Sequence, residues 1–214
     1  MGGIKAYAKS ILLACLILCA VGSLQGHRER VVNSRERATI RLINEAENHV
    51  GIRESGGNNR GPWIKKYLAL TGLKEGNPWC AAFQAYIHDH AEIPAPTSAR
   101  VVDWFVSNVV WRSEWGDLQF TAEAGMVGGL YYQRQGRLGH IFLVVGQDQN
   151  NYYTIEGNTN GGGSNDGDGV YRMTRPKKSV AVLADYCLSG KDFIDQYDVY
   201  LQKYLKNNGY NKQN

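Results

Sequence analysis

The sequence predicts an α+β fold, with N-terminal helices packed on a small antiparallel β-sheet. Two periodicities carry this. Apolar residues recur at helical spacing through the first half of the chain, and from Gly125 onward they alternate by two between Gly/Asn/Asp turns. With 214 residues, 43% apolar and 21% charged, the chain has material for one ordinary core and little room for a second domain.

The first residues read as a targeting segment. Lys5 and Lys9 precede an unbroken apolar run, Ile11–Val21, and no acid lies among them. That run is too short to cross a bilayer comfortably, but it suits the core of a signal peptide. Ala20-Val21-Gly22 meets the small-x-small rule for cleavage, and Ser23 is an equally acceptable end. The expectation is a signal over residues 1–23, export to the periplasm or beyond, and no stable membrane insertion after processing. Lipoprotein processing at Cys19 or Cys15 is the weaker rival: bulky Leu18 precedes the first, and too little apolar chain precedes the second.

A polar leader, 24–34, comes next. Ile40, Leu42, Ile43, Ala46 and Val50 then place an amphipathic helix over Arg35–Val50. After the turn-rich Gly51–Gly61, Pro62 opens a second helix reaching about Thr71. A third runs from near Pro78 to Ala91, and Ser98–Val110 reads as a short helix. Met126–Gln133, Gly139–Gly146, Tyr152–Gly157 and Val170–Thr174 read as strands, while Val180–Leu188 fits strand or helix. Residues 35–190 are thus the expected catalytic domain. Lys191–Leu205 forms a final helix, and the chain ends in a polar tail.

The formal charge is +4, and the signal accounts for two of its positives. No Lys/Arg stripe with interleaved aromatics appears, so nucleic acid is not an expected partner. Of four cysteines, Cys15 and Cys19 leave with the signal, and Cys80 and Cys187 remain. An oxidising compartment invites a bridge between them. Against it, Cys187 sits in the apolar run Ser179–Leu188 as a small core residue would, and the surroundings of Cys80 suit reactivity.

Those surroundings are Asn77-Pro78-Trp79-Cys80-Ala81-Ala82-Phe83. Asn is a strong N-cap, and Pro just after it gives up an N–H that a helix start does not use. Cys80 then falls in the first helical turn, where free N–H groups and the macrodipole favour a thiolate and can receive an oxyanion. The bland alternative is a buried small residue. A nucleophile needs a base, and Leu138–Val145 followed by Tyr152–Asn158 supplies one on a hairpin. If Gly146 pairs with Tyr152, then His140 falls opposite Asn158 and Glu156 opposite Phe142, so His140, Glu156 and Asn158 share a face. His140 would take the thiol proton and return it to the leaving amine, while a carboxylate or amide orients its ring. Glu156 is favoured as orienter, with Asn158 as second polar member. Asn77 and Trp79, flanking the nucleophile, are candidate substrate-binding residues. His88 and His90 point to different helix faces and make a poor metal pair, His49 reads as a helix-surface residue, and His27 lies in the leader.

With these residues assembled, the chain resembles the CHAP family of cysteine- and histidine-dependent amidohydrolases/peptidases, relatives of NlpC-type wall hydrolases. The matching features are Trp79-Cys80-Ala81-Ala82-Phe83, Gly139-His140, Ile155-Glu156-Gly157-Asn158-Thr159-Asn160, and Gly169-Val170-Tyr171-Arg172. Upstream, Gly51-Ile52-Arg53-Glu54 and Asn58-Asn59-Arg60-Gly61 also fit. Gly125-Met126 departs from the Gly-Asp of many members, without touching a catalytic role. The resemblance spans roughly Arg35 to Arg175. It implies a papain-like fold and a peptidoglycan substrate, cut at the sugar–peptide amide or at a stem or cross-link peptide bond. Acyl-enzyme chemistry of this kind needs no metal or cofactor.

Other assignments are weaker. The loop Asn158–Gly169 carries hard oxygen ligands but fits no calcium motif. Trp104 and Trp111, seven apart, suit a core stripe better than sugar stacking. Two rival functions use the same residues: an inactive wall- or partner-binding domain, and a Cys/His acyltransferase.

Overall fold

Residues 34–49 form helix α1, Pro62–Leu70 helix α2 and Cys80–His90 helix α3 in the computed structural model, which describes residues 34–116, 120–160 and 167–188. The strands are β1 (Val109–Arg112), β2 (Val127–Tyr132), β3 (Arg137–Gln147), β4 (Asn151–Thr159), β5 (Gly169–Pro176) and β6 (Val180–Ala184). They make one six-stranded sheet in the order β1-β6-β2-β3-β4-β5, with every neighbouring pair antiparallel. The expected α+β class is therefore observed. The chain divides into two compact units, Met1–Arg37 and Ala38–Asn214. Residues 34–37 of the first are described and are helical, and the sheet belongs to the second. The signal expected over residues 1–23, nearly all of the leader expected over 24–34 and the helix expected over Lys191–Leu205 lie outside the described residues. Among the described residues, no helix is long and apolar enough to cross a membrane.

Local chemistry explains the helices that bear on the site. Gly61 caps α2 at φ 131°, a backbone region costly for any residue with a Cβ, and Pro62 follows at the first helical position. Ile64, Tyr67 and Leu68 then give α2 one buried stripe. Helix α3 is enclosed nearly all round, and small residues at 81, 82 and 85 let it come close to its neighbours. It lies against β3 and β4, sharing a core with Ile141, Leu143 and Ile155. At Gly157 the approach is tightest. A Cβ there would lie 2.7 Å from the Phe83 side chain and from the Trp79 ring, so only glycine fits.

The sequence pattern errs where short-range signals compete with pairing. Of Ser98–Val110, expected to be helical, only Val101–Phe105 forms a 3₁₀ turn. Asn108 then reverses the chain at φ 57°, and its Nδ2 donates to the Asp185 carbonyl at 3.0 Å. That anchor delivers β-branched Val109 and Val110 to β1, which pairs with β6. The ambiguous run from Val180 resolves as strand as far as Ala184.

The β3–β4 hairpin turns more tightly than expected. Gly146 pairs with Tyr153 and Gln147 with Tyr152, because Asp148 Oδ1 accepts the N–H groups of Asn150 and Asn151, each at 2.7 Å. A register shift between Val144 and Gly146 removes the discrepancy, giving Leu143↔Ile155 and Val144↔Thr154. Beyond the bulge the strands run in the register the sequence predicts.

The close approach at Gly157 makes a stability prediction. Gly157→Ala should destabilise the fold by about 1–3 kcal/mol through overpacking, read as a lowered midpoint in urea with unchanged slope.

Candidate active site

Cys80 is the first residue of α3, and Trp79 precedes it at the N-cap position without a side-chain cap. The helix therefore starts two residues later than Pro78, and Asn77 is not its cap. Asn77 is exposed, and its Nδ2 donates to the Lys74 carbonyl at 2.9 Å, which commits the amide to the preceding turn. Trp79 is also reassigned. Its ring is fully buried, stacks on Tyr67 at 5.6 Å and donates from Nε1 to Glu54 Oε1 at 2.7 Å. An indole with its faces in the core and its N–H occupied presents nothing to a substrate. The first-turn position still leaves the Cys80 N–H without an intrahelical acceptor. Cys80 and Cys187 are both free thiols.

His140 lies on β3 with its Nε2 2.8 Å from Glu156 Oε2. Cys80 lies close enough to the ring to help raise its pKa. Because Nε2 is committed to the carboxylate, Nδ1 is the nitrogen left for the sulfur. Cys80 and His140 keep 6% and 4% of their surface, so the pair sits almost out of water, where charge interactions are strong. Burial opposes the imidazolium, but Cys80 and the hydrogen-bonded Glu156 outweigh it and hold the ring's pKa well above that of an ordinary histidine.

Glu156 is wholly buried and fully engaged. Arg175 donates from Nε to Oε1 at 2.8 Å and from Nη2 to Oε2 at 2.5 Å, and Thr154 Oγ1 donates to Oε1 at 2.5 Å. Burial alone would raise the carboxyl pKa. The bidentate Arg175 and His140 reverse that and drive it well below the usual range. The site is thus a chain, Arg175–Glu156–His140–Cys80, and the carboxylate in its middle stays ionised.

Asn158 does not join that chain. Its backbone is left-handed at φ 54°, and the β4–β5 register shifts between Glu156 and Thr159. The period of two that would have placed Asn158 beside His140 assumes extended backbone, and here it is broken. With its amide oriented to satisfy both ends, Asn158 accepts the Trp79 N–H at 3.0 Å and donates to the Gly167 carbonyl at 2.9 Å. It fastens β4 to the residue before the nucleophile.

Three residues that the sequence did not flag complete the site. Arg175 and Thr154 hold Glu156; the alternation assigned to β5 ends at Thr174, one position short of the arginine. Tyr132, the last residue of β2, lies within electrostatic range of Cys80, Glu156 and Arg175. Its ring occupies the space where a side chain of Gly139 would be, with Tyr132 Cδ2 2.1 Å from that Cβ position. This is a physical reason for glycine before His140. His49 is buried rather than on the surface, bonded to the Tyr67 hydroxyl at 2.7 Å and to Glu45 at 3.1 Å. Among the described residues, no group of three His, Cys, Asp or Glu is arranged to hold a metal ion.

The chain matches no protein-family model, no curated protein and no solved structure.

Arg175→Met should destabilise the protein by about 3–5 kcal/mol, because it strands a buried carboxylate with one cationic partner in place of two. Calorimetric or denaturant unfolding checks this, and the loss should shrink in the Glu156→Gln background, where no charge is left uncompensated.

Proposed function

We propose that this protein is an exported cysteine hydrolase of the CHAP type, with a papain-like arrangement, that cuts amide bonds in peptidoglycan. One observation carries the chemistry: a thiol at a helix start lies beside an imidazole that is held through Nε2 by a buried, arginine-clamped carboxylate. That is the nucleophile–base–orienter constellation, met on geometry and roles. The motif order around Cys80, Gly139-His140 and Glu156-Gly157-Asn158 supports the wall polymer as substrate, and the apolar run near the N-terminus supports export.

In this mechanism the Cys80 proton passes first to His140 Nδ1, and the sulfur then attacks the amide carbonyl. A C–S bond forms, and the carbonyl π electrons move to oxygen, where the Cys80 N–H can donate. Collapse expels the amine, which leaves with the proton held by His140. Water then attacks the thioester, with His140 as base, releasing the carboxylic acid and restoring the thiol. Glu156 keeps the ring in the tautomer and orientation that present Nδ1 to sulfur, and it stabilises the imidazolium between the two proton transfers. Asn158 holds the backbone at Trp79 so that the sulfur stays at this distance through both steps.

Two outcomes test the proposal. Purified protein should clear suspensions of cell wall while Cys80→Ser does not, and mass analysis of the fragments names the bond. If wild type and Cys80→Ser behave alike, the hydrolase assignment fails; a transferred acyl group in place of a free acid would point to an acyltransferase. The pH profile gives a second check. The raised pKa of His140 keeps the imidazolium available to the leaving amine into alkaline solution, so activity should fall only as pH climbs through that value. Glu156→Gln removes a cause of the elevation, and the alkaline limb should move to lower pH by about one to three units. An unmoved limb would contradict the role given to Glu156.

A further inference from the structure

We propose that Tyr132 and Arg137 form a carboxylate-binding rim beside Cys80, so that the preferred substrate carries a free carboxylate next to the amide that is cut. This rests on the hydrolase proposal and narrows its substrate. The two residues are direct cross-strand partners at the turn end of the β2–β3 hairpin, and opposed residues of an antiparallel pair put their side chains on one face. Leu130 and His140 are the next partners but one along the same strands, with a bulge between. The rim therefore sits one step outward from the catalytic imidazole. The Tyr132 ring is fixed in the space that Gly139 leaves open, and its phenol lies within electrostatic range of both Cys80 and Arg137.

The chemistry of the rim has one sign. Tyr132 is half-buried, and burial together with the nearby Cys80 pushes its hydroxyl up to about 12, so it remains a donor at any working pH. Arg137 is exposed and belongs to no ion pair among the described residues. Its one intramolecular bond is a long one, Nη1 to the Leu138 carbonyl at 3.4 Å, which leaves most of its planar fork for a ligand. Arg134 adds a second exposed cation in the same connection, and residues 130–147 contain no acid. Glu156, the acid bonded to His140, is already neutralised by Arg175. A hydroxyl donor beside a guanidinium that has no ion pair among the described residues matches a carboxylate and disfavours its amide or a cationic group.

Alkylation of Cys80 tests this without requiring hydrolysis. Iodoacetate and iodoacetamide deliver the same displacement, in which sulfur forms a C–S bond, iodide departs and the thiol proton goes to His140 or solvent. They differ by a carboxylate against a carboxamide. The two rates would be measured at Cys80 by peptide mass mapping in the intact protein, with Cys187 as internal reference. Arg137→Gln should lower the iodoacetate-to-iodoacetamide rate ratio about fourfold, the effect of one charge several ångströms away at a partly screened site. Arg137→Lys should keep most of the ratio, Tyr132→Phe should lower it less than Arg137→Gln, and added salt should diminish the wild-type preference. An unchanged ratio in the Arg134→Gln/Arg137→Gln double variant overturns the rim, as does a Cys80 closed to both reagents. A protein that shows the ratio change yet never clears cell wall loses the hydrolase assignment and keeps the anion site. Where wall fragments are cut, paired peptides with carboxylate or carboxamide beside the scissile bond should differ in KM, and Arg137→Gln should erase that difference with little change in kcat.

Discussion

Glu156 is a carboxylate with no solvent contact, held in a strand and surrounded by donors. An isolated ionised carboxyl in that position would be strongly disfavoured, and it would simply take up a proton. Here Arg175 forks onto both oxygens, Thr154 bonds one and His140 bonds the other, so the charged form is favoured instead. Everything functional depends on that balance. An ionised Glu156 holds the imidazole by Nε2, and a ring held by Nε2 presents Nδ1 to the thiol. The arginine is therefore as much part of the site as the imidazole and the thiol, although it touches neither of them directly.

The second constraint is distance. A thiol on a helix and an imidazole on a strand can share a proton only if helix and sheet are brought together more closely than ordinary side chains allow. The structure achieves this by subtraction. Gly157 has no Cβ where Phe83 and Trp79 press on β4, and Gly139 has none where Tyr132 lies against β3. Asn158 then closes the gap from the sheet side by binding the Trp79 N–H, and Glu54 does so from the loop side by binding the Trp79 indole. Trp79 sits at the junction as a structural pivot. The residue before Cys80 is thereby fixed in three directions, by stacking and by two hydrogen bonds.

The pair at the centre of the site was legible in the sequence. Cys80 in a helical first turn and His140–Glu156 on a hairpin follow from an N-terminal helix signal and from the period of two, and the bulge in β3 happens to restore the register that a tighter turn disturbs. What sequence could not supply were contacts made across elements whose pairing was unassigned. Arg175 becomes visible only once β5 is laid antiparallel on β4. Asn158 was misplaced because alternation presumes extended backbone and this residue is left-handed. Asn77 looked like a cap because Asn–Pro is a strong start signal, yet its amide closes the loop before the helix. Trp79 looked available to ligand because it adjoins the nucleophile, whereas a large aromatic beside a buried helix start is more favourably spent in the core.

The imidazole of His140 forms one electrostatic unit with the Cys80 sulfur and the Glu156 carboxylate. Its own titration, followed by NMR of the ring nitrogens, is the most direct measurement. The expected pKa is clearly above 6.5, the value for an unperturbed histidine, in the wild type, and lower in Cys80→Ser. A ring that titrates as an ordinary histidine, or that does not respond to loss of the sulfur, would contradict it.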